Sequence, residues 1–275
     1  MSLHEYPGLQ QGTDEWLELR RGMVTASTVG QLLVVDTLGA ESFDCPRCDA
    51  EADAPCKSIA KGKSGAPIQT MHRERTEAAS KAAVTRVQAG RTHYSQRLTL
   101  SLVAERITGE IESVYVNDDM LRGQLEEPIA RDVYSGHKEA VTETGFMVRD
   151  DWGFPIGYSP DGLVGDYGLI EIKAPRAKEH LRTILADAVP DRYMAQLQCG
   201  LLVSGREWID YVSYFGGMPM WTKRVYANPL WAEAIVDAVS AFEQTADEMT
   251  LNYDRATRGL PSTERRIDLS DIQVA

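Results

Sequence analysis

The sequence predicts a mixed α/β (α+β) fold in which helices flank a mixed central sheet, because strand-like and helix-like stretches alternate along it. Residues 141–174 consist of short alternating apolar runs broken by Asp and Gly, which is typical of strands, and 207–215 with 220–226 indicate a hairpin. Apolar residues recur with helical spacing over 191–203 and over the long segment 229–251. This order favours one central sheet.

The first half of the chain is predicted to be mainly helical. Residues 14–35 indicate two helices with a break at 20–22, and Thr25 or Ser27 is expected to cap the second one. Further helices are expected over 73–87, 96–107 and 118–134. In the last of these, Pro128 predicts a kink or a later helix start. Its apolar residues recur every fourth position: Leu121, Leu125, Ile129 and Val133.

Length and composition bound the class of protein. The 275 residues, 43% of them hydrophobic, suffice for a single domain over 1–275 with a substantial core. No apolar run approaches the roughly 18 residues that a membrane span needs. The first residues do not resemble a signal peptide. We therefore expect no membrane partner and a cytoplasmic location.

Charge is distributed unevenly. The formal net charge of −12 argues against a protein that coats DNA non-specifically, but it does not exclude a DNA enzyme. Cations concentrate between residues 57 and 97, where only Glu74 and Glu77 oppose them: Lys57, Lys61, Lys63, Arg73, Arg75, Lys81, Arg86, Arg91 and Arg97. These residues form either a solvated helix face or a surface that contacts DNA.

Residues 38–75 have the composition of an inserted, loop-rich module. Cys45 and Cys48 form a Cys-x-x-Cys knuckle, and Cys56 and His72 follow it, so the segment has the ligand types of a Cys₃His zinc site. The lack of an apolar core favours structural Zn²⁺ as the organising element over a redox pair or a loop with free thiols. His93 is the substitute for His72. The fourth cysteine, Cys199, is expected to be a buried small side chain.

The segment from Gly157 to Lys173 carries the strongest chemical signal. Because side chains alternate along a strand, Ile170 and Ile172 are expected to face the core while Glu171 and Lys173 share the other face. Glycines between residues 162 and 168 can fold the chain back and bring Asp161 beside Glu171.

Two carboxylates and an ammonium at a sheet edge suit phosphodiester hydrolysis. Asp161 and Glu171, with the backbone carbonyl of Ile172, offer the hard oxygen ligands that Mg²⁺ (or Mn²⁺) prefers. Such an ion activates a bound water and neutralises charge on the phosphate. Lys173 can orient or deprotonate that water. An exposed strand with alternating charge is the alternative interpretation.

The pattern resembles the PD-(D/E)xK nucleases, and within them the lambda-exonuclease-like family, also called YqaJ-like viral recombinases. Three further segments resemble that family's motifs in the same order: Trp16 to Ser27, Arg122 to Arg131, and Tyr193 to Gln198. The resemblance covers roughly residues 14–200 and implies a restriction-endonuclease-like fold. The resemblance to lambda exonuclease does not account for the insertion at residues 36–92. The zinc segment itself resembles small zinc fingers of phage and actinobacterial proteins.

The resemblance also implies roles for individual residues. It makes Asp161 and Glu171 metal ligands and Lys173 the catalytic lysine. Glu127 becomes an additional carboxylate, with Glu126 as the alternative by one register position. Gln196 is implied near the lysine or the metal-bound water. Tyr193 is implied one turn away on the same face, as a residue that contacts a DNA phosphate.

Phosphate binding is the other implied role. Arg20 and Ser27 are implied to bind a DNA phosphate, which in such enzymes is the 5′-terminal one, although Ser27 could instead be a simple helix cap. An Asp on the strand before the motif is also implied, and Asp150 and Asp151 compete for that place.

The favoured function is therefore a phage-type exonuclease that enters at a duplex DNA end and degrades one strand, 5′ to 3′, for homologous recombination. The enzyme alternative is a RecB-like end-processing nuclease of other polarity. The non-enzyme alternative is a zinc-stabilised DNA-end binding protein that does not cut. A single-strand annealing protein and further copies of the chain are the expected protein partners, in the host cytoplasm if the chain is phage-encoded.

Overall fold

A computed structural model describes residues 2–111 and 117–264, and these residues contain seven α-helices and ten strands. The helices are α1 (Asp14–Arg20), α2 (Arg73–Ala82), α3 (His93–Thr108), α4 (Asp118–His137), α5 (Ala177–Ala186), α6 (Met194–Ser204) and α7 (Pro229–Ala256). The strands are β1 (Leu3–Tyr6), β2 (Leu33–Thr37), β3 (Thr85–Ala89), β4 (Val141–Thr142), β5 (Phe146–Arg149), β6 (Ile156–Tyr158), β7 (Gly162–Val164), β8 (Gly168–Lys173), β9 (Trp208–Ser213) and β10 (Trp221–Tyr226).

The central sheet is mixed, as predicted. Its strand order is β10-β9-β8-β7-β4. Only β8 and β9 run parallel, because α5 and α6 form the crossover between them, and the other neighbours are antiparallel. The predicted hairpins, β7 with β8 and β9 with β10, are both confirmed.

Strand β8 is buried on both faces, and this fixes the direction of its side chains. Leu169 belongs to the main core, to which α6 and α7 contribute. Ile170 and Ile172 belong to a second cluster that includes Ala130 of α4. Glu171 therefore lies on the Leu169 face, and the predicted alternation along this strand is confirmed.

A second sheet, β1-β5-β6, brings the loop after α1 beside the central sheet. The Gly157 carbonyl of β6 accepts from the Ala26 N–H at 2.8 Å, and the Gly157 N–H donates to Val24 at 3.0 Å. A Cβ at Gly157 would lie 2.5 Å from a Phe146 ring carbon, so this close approach requires glycine. Residues 25–27 are thereby fixed next to the strand that leads to Asp161.

The insertion grows from a two-stranded stalk. Strands β2 and β3 pair antiparallel, with Leu33 opposite Ala89 and Thr37 opposite Thr85, and the predicted module 38–75 lies between them. Helix α7 packs against the stalk and against α3 and α6. None of the helices within the described ranges is long and apolar enough to cross a membrane.

Three secondary-structure predictions are wrong. The second helix expected in 14–35 is only a 3-10 turn at Val29–Leu32, because the β-branched run that follows it forms β2. The helix expected over 73–87 ends at Ala82, where Ala83 adopts a left-handed conformation and β3 begins two residues later. Of the two outcomes offered for Pro128, the later helix start is wrong, because α4 begins at Asp118 and contains Pro128, while the kink stays a prediction.

The apolar residues that recur every fourth position along α4 do not form its buried face. Leu121, Leu125 and Ile129 are 51%, 66% and 51% exposed, and Val133 is partly buried. The fully buried side chains of this helix are Ala130 and Tyr134. The helix thus packs on the sheet with a face other than the one that carries its large aliphatic residues.

Candidate active site and metal centre

A cavity of about 240 Å³ lies where the β7–β8 hairpin, α4, α6 and the loop after α1 meet. Most residues that the sequence nominated line this one cavity: Arg20, Ser27, Glu127, Asp161, Glu171, Ile172, Lys173 and Gln196. Arg20 and Gln196, the two that lie farthest apart in sequence, are separated by 176 positions, so the tertiary fold has brought these residues together.

Asp161 precedes the β7–β8 hairpin, as the glycine pattern predicted. Gly162 pairs with Ile170, which leaves Asp161 beside Glu171, and its Oδ2 accepts from the Ile172 N–H at 2.6 Å. Burial raises the pKa of the Asp161 carboxyl well above its usual range, and repulsion from Glu171 adds to the rise. A cation in the cavity would relieve both effects.

Glu171 is almost completely buried and is held by several donors. Lys173 Nζ lies 2.6 Å from its Oε1, and the Gln196 side-chain amide donates to the same oxygen. The Tyr158 hydroxyl is 3.5 Å from Oε2. Burial alone would lower the pKa of Lys173, but attraction to Glu171 and Asp161 outweighs burial and raises it. Lys173 is therefore held as an ammonium.

Glu127, and not its neighbour Glu126, reaches the cavity from α4. Its Oε1 accepts from Arg131 at 2.6 Å. Burial raises the pKa of the Glu127 carboxyl, Arg131 opposes the rise, and repulsion from Glu171 adds to it. Glu126 instead lies 3.6 Å from Arg122. Of the two register alternatives, Glu127 is therefore the residue whose side chain lines the cavity.

Arg20 lies at the same cavity without an acidic partner. Its guanidinium stacks 4.3 Å over the Trp16 ring, and the Trp16 indole N–H donates to the Ser159 hydroxyl at 3.2 Å. No hydrogen bond or carboxylate within 4.0 Å satisfies the Arg20 side chain among residues 2–111 and 117–264. Burial lowers the pKa of Arg20, and attraction to Glu105, whose carboxylate lies more than 4.0 Å away, opposes the shift. An unpaired, partly buried guanidinium of this kind is suited to an anionic ligand.

Ser27 is exposed beside Arg20, and its hydroxyl lies 3.1 Å from that of Thr25. The expectation that Thr25 or Ser27 caps a helix is wrong. The residue before the 3-10 turn is Thr28, and its side chain makes no capping bond. The Ser27 hydroxyl is thus not used by a helix terminus.

Three other nominated residues lie outside the cavity. Tyr193 contacts Lys173, whose ammonium is 5.5 Å from the Tyr193 ring centroid. Asp150 and Asp151 follow β5 and accept from Ser2, so neither carboxylate lies at the site.

Sequence reasoning missed Tyr158, Ser159 and Arg131. The first two line the cavity, and they stand in the same Gly-Tyr-Ser-Pro-Asp segment that drew attention to Asp161. Arg131 touches two of the nominated residues. Its spacing of four from Glu127 on a predicted helix was the available signal.

The four nominated zinc ligands form a compact cluster. One donor atom from each of Cys45, Cys48, Cys56 and His72 lies within 4.8 Å of every other. Cys45 Sγ is 3.4 Å from His72 Nδ1, and Cys48 Sγ accepts from the Lys57 N–H at 3.3 Å. Three thiols and one imidazole at this separation fit tetrahedral Zn²⁺. The substitute ligand, His93, lies instead at the start of α3.

Arg75 is completely buried beside this cluster, so its place in the predicted basic surface is wrong. Its guanidinium donates to the main-chain carbonyls of Glu41, Phe43, Glu51 and Ala54. Nη1 also lies 3.6 Å from Cys56 Sγ. No carboxylate within the described ranges pairs with it. Since Zn²⁺ with three thiolates is net negative, a metal-loaded cluster would balance this buried cation.

Comparison with known proteins agrees with this geometry. Residues 69–207, half of the chain, match the profile of the YqaJ-like viral recombinase domain. The chain belongs to this family. Residues 16–92 match a second profile, that of a phage zinc finger domain for which DNA binding has been suggested. A search of curated proteins returned no match.

Solved structures extend the likeness to 90% of the chain. The alkaline exonuclease LHK-Exo from Laribacter hongkongensis is 28% identical at a TM-score of 0.63, and the match covers 90% of this chain and all of that one. Its complex with dAMP matches equally well. A phage-related exonuclease from Haemophilus somnus 129PT is 13% identical at a TM-score of 0.49, over 84% of this chain and 96% of that one. Family and structure together identify this chain as a phage-type exonuclease.

Proposed function

We propose that this chain is a Mg²⁺-dependent exonuclease that removes nucleotides from the 5′ end of one strand of duplex DNA. One observation carries the proposal: the unpaired Arg20 guanidinium lines the same cavity as Asp161 and Glu171. A terminal phosphate bound there would lie beside the hydrolytic residues. Cleavage near a bound end is what distinguishes an exonuclease from an enzyme that cuts internal sites.

The acidic side of the cavity fits Mg²⁺, or Mn²⁺. Asp161 and Glu171 would be its carboxylate ligands, with the Ile172 carbonyl and Glu127 as further oxygen donors, and such hard oxygens are the ligands that these ions prefer. The raised pKa of Asp161, caused by burial and by Glu171, indicates a site short of positive charge. When bound, the ion supplies a nucleophilic water at neutral pH and neutralises charge on the phosphate.

The remaining chemistry belongs to the chain's own side chains. Lys173, held as an ammonium against Glu171, would orient the attacking water and stabilise the extra negative charge that develops on the phosphate. Gln196 fixes the Glu171 oxygen that Lys173 contacts. The Tyr193 ring lies against the Lys173 ammonium and restricts its position. We propose this positioning role for Tyr193 in place of a direct phosphate contact.

Arg20 and Ser27 would hold the 5′-terminal phosphate. The Trp16 ring keeps the Arg20 guanidinium in place without neutralising its positive charge, so its N–H groups stay available to donate to two phosphate oxygens. The complex of LHK-Exo with dAMP shows that this 28%-identical relative binds a nucleoside monophosphate. We propose that nucleoside 5′-monophosphates are likewise the products here.

A direct test uses linear duplexes labelled at either end. With Mg²⁺, label at the 5′ end should be released first as mononucleotide, and covalently closed circles should stay intact. EDTA should abolish release. Release from the 3′ end first would refute the polarity, and cutting of closed circles would refute the exonuclease assignment.

We propose further that Zn²⁺ orders the inserted module and that the module contacts DNA. Several cations of the module and its stalk are already engaged in ion pairs: Arg47 with Glu74, Arg73 with Glu77, and Arg86 with Asp36. Lys57, Lys61 and Lys63 are exposed, and no ion pair engages them among the described residues. These three lysines are the cations of the module's part of the predicted basic surface that remain free to contact phosphates; Lys81, Arg91 and Arg97, which follow the module, are likewise exposed without an ion pair among the described residues.

A further inference from the structure

Arg131 lies one helical turn after Glu127 on α4 and is mostly buried, with 12% of its side chain exposed. Its guanidinium points in three directions. Nε donates to the main-chain carbonyl of Asp161 at 2.9 Å, Nη2 donates to Glu127 Oε1 at 2.6 Å, and Nη1 lies 3.0 Å from the exposed Glu143. One side chain thus contacts two of the proposed metal ligands.

These contacts constrain the relative position of the two carboxylates. The Asp161 carboxylate is fixed from one side by the Ile172 N–H, and the Asp161 carbonyl is fixed from the other side by Arg131. The same guanidinium holds one Glu127 oxygen. Because a guanidinium is planar and rigid, its bonds to α4 and to the β7–β8 hairpin set the separation of Glu127 and Asp161.

An ion pair that only stabilised the surface would not need this arrangement. Glu143 is 76% exposed, and a contact with it alone would contribute little. The two buried arms of Arg131 both end on residues that line or frame the cavity. Arg131 itself does not line it, so it acts through its partners.

We infer that Arg131 is a positioning residue of the proposed metal site, which pre-sets the spacing of Glu127 and Asp161 for a divalent cation. This inference rests on the proposed function. It assigns to Arg131 no contact with DNA or with the reacting phosphate. Loss of the Arg131 contacts with Glu127 and Asp161 should therefore weaken metal binding while leaving the cleavage rate at saturating metal largely intact.

The test compares Arg131→Lys and Arg131→Met with the matched control Glu143→Gln, which removes only the exposed arm. Mn²⁺ affinity is measured by calorimetry without DNA, and cleavage is measured as a function of Mg²⁺ concentration. Residues that orient metal ligands typically contribute about 10- to 100-fold to metal affinity. We expect a loss of about that size in both Arg131 variants, recovery of most of the rate at saturating Mg²⁺, and no change in Glu143→Gln.

A double-mutant cycle separates positioning from a general effect on folding. Glu127→Gln removes the ligand charge but can still accept from Arg131, so its effect on Mn²⁺ affinity should be non-additive with that of Arg131→Lys. Additive losses, or wild-type Mn²⁺ affinity in an Arg131 variant that melts normally, would overturn the inference. If the wild-type protein neither binds Mn²⁺ nor cleaves DNA, the proposed function fails first.

Discussion

The phosphate-binding role of Arg20 leads to a prediction about DNA ends. In Arg20→Ala, the cavity keeps its carboxylates and Lys173 but loses the guanidinium that stacks on Trp16. No protein carboxylate within the described residues lies within 4.0 Å of Arg20, and Glu105, which attracts it from farther away, also accepts from the Gly22 N–H at 2.8 Å. Removal of Arg20 should therefore leave no buried carboxylate without a partner. The variant should therefore fold normally.

The expected magnitude follows from the bond that is lost. A hydrogen bond to a charged group contributes about 1.5–3 kcal/mol, which corresponds to roughly ten- to a hundredfold in rate. The wild-type enzyme should prefer a 5′-phosphorylated end to a 5′-hydroxyl end by a factor in that range. Arg20→Ala should lose most of that preference, with its rate on the 5′-hydroxyl end nearly unchanged. Arg20→Lys should retain only part, since it keeps the charge but not the planar fork.

Arg21 supplies the matched control. It follows Arg20 directly, but its guanidinium donates to the Gly109 carbonyl at 3.1 Å and lies 3.9 Å from Glu18. Arg21→Ala should keep the end preference. The assay is the initial rate of mononucleotide release from otherwise identical duplexes with 5′-phosphate or 5′-hydroxyl ends, at excess enzyme. Equal rates on both ends with the unmodified enzyme, or a preference that survives Arg20→Ala, would refute the reasoning.

Three further predictions follow from the site and the module. Asp161→Asn, Glu171→Gln and Lys173→Met should each lower single-turnover cleavage by about a thousandfold or more with normal melting temperatures, and near-normal turnover would remove that residue from the mechanism. Purified protein should hold about one Zn²⁺ per chain, and a metal analysis that finds no zinc would contradict this prediction. Cys48→Ser should increase amide hydrogen exchange within residues 38–75 but not in β8. Replacing Lys57, Lys61 and Lys63 together by glutamine should reduce the salt slope of DNA binding by about 0.9 for each phosphate contact that is lost. Arg73→Gln should leave the salt slope unchanged.

Local sequence was enough to predict the hairpin that carries the acidic residues. Glycines mark the turn before β8, and the alternation from Leu169 to Lys173 fixes which side chains share a face. These are short-range rules, and no distant contact is needed to apply them. The same holds for the cysteine cluster, because a Cys-x-x-Cys knuckle directs both thiols toward one point.

Arg20 and Ser27 could not be placed by local rules. They lie more than 130 positions before Asp161, and only the resemblance to a family joined them to the site. What brings them there is the pairing of residues 24–26 with Gly157, a contact between distant segments. Helix propensity even favoured the wrong local structure around Ser27, because it takes no account of that pairing.

The apolar residues of α4 illustrate a second limit. Their spacing of four places them on one face of the helix, yet Leu121, Leu125 and Ile129 are exposed. Periodicity identifies which residues share a face but not whether that face meets the sheet. The face of α4 that turns toward the protein carries Ala130 and Tyr134, which belong to one apolar cluster with Ile170 and Ile172 of β8. It also carries Glu127, which lines the polar cavity, and Arg131, which donates to Glu127.

Arginines show why formal charge is a poor guide to function in this chain. Arg75 is buried against carbonyls, Arg131 links two carboxyl-bearing residues, and Arg73 pairs with Glu77 on the surface. Each counts equally in the net charge, but none of the three is free to bind DNA. Arg20 is different because, among residues 2–111 and 117–264, its guanidinium stacks on a tryptophan ring and has no carboxylate within 4.0 Å. Capacity to bind phosphate thus depends on which cations the fold leaves without an anion, and a −12 chain can bind DNA through a few such residues.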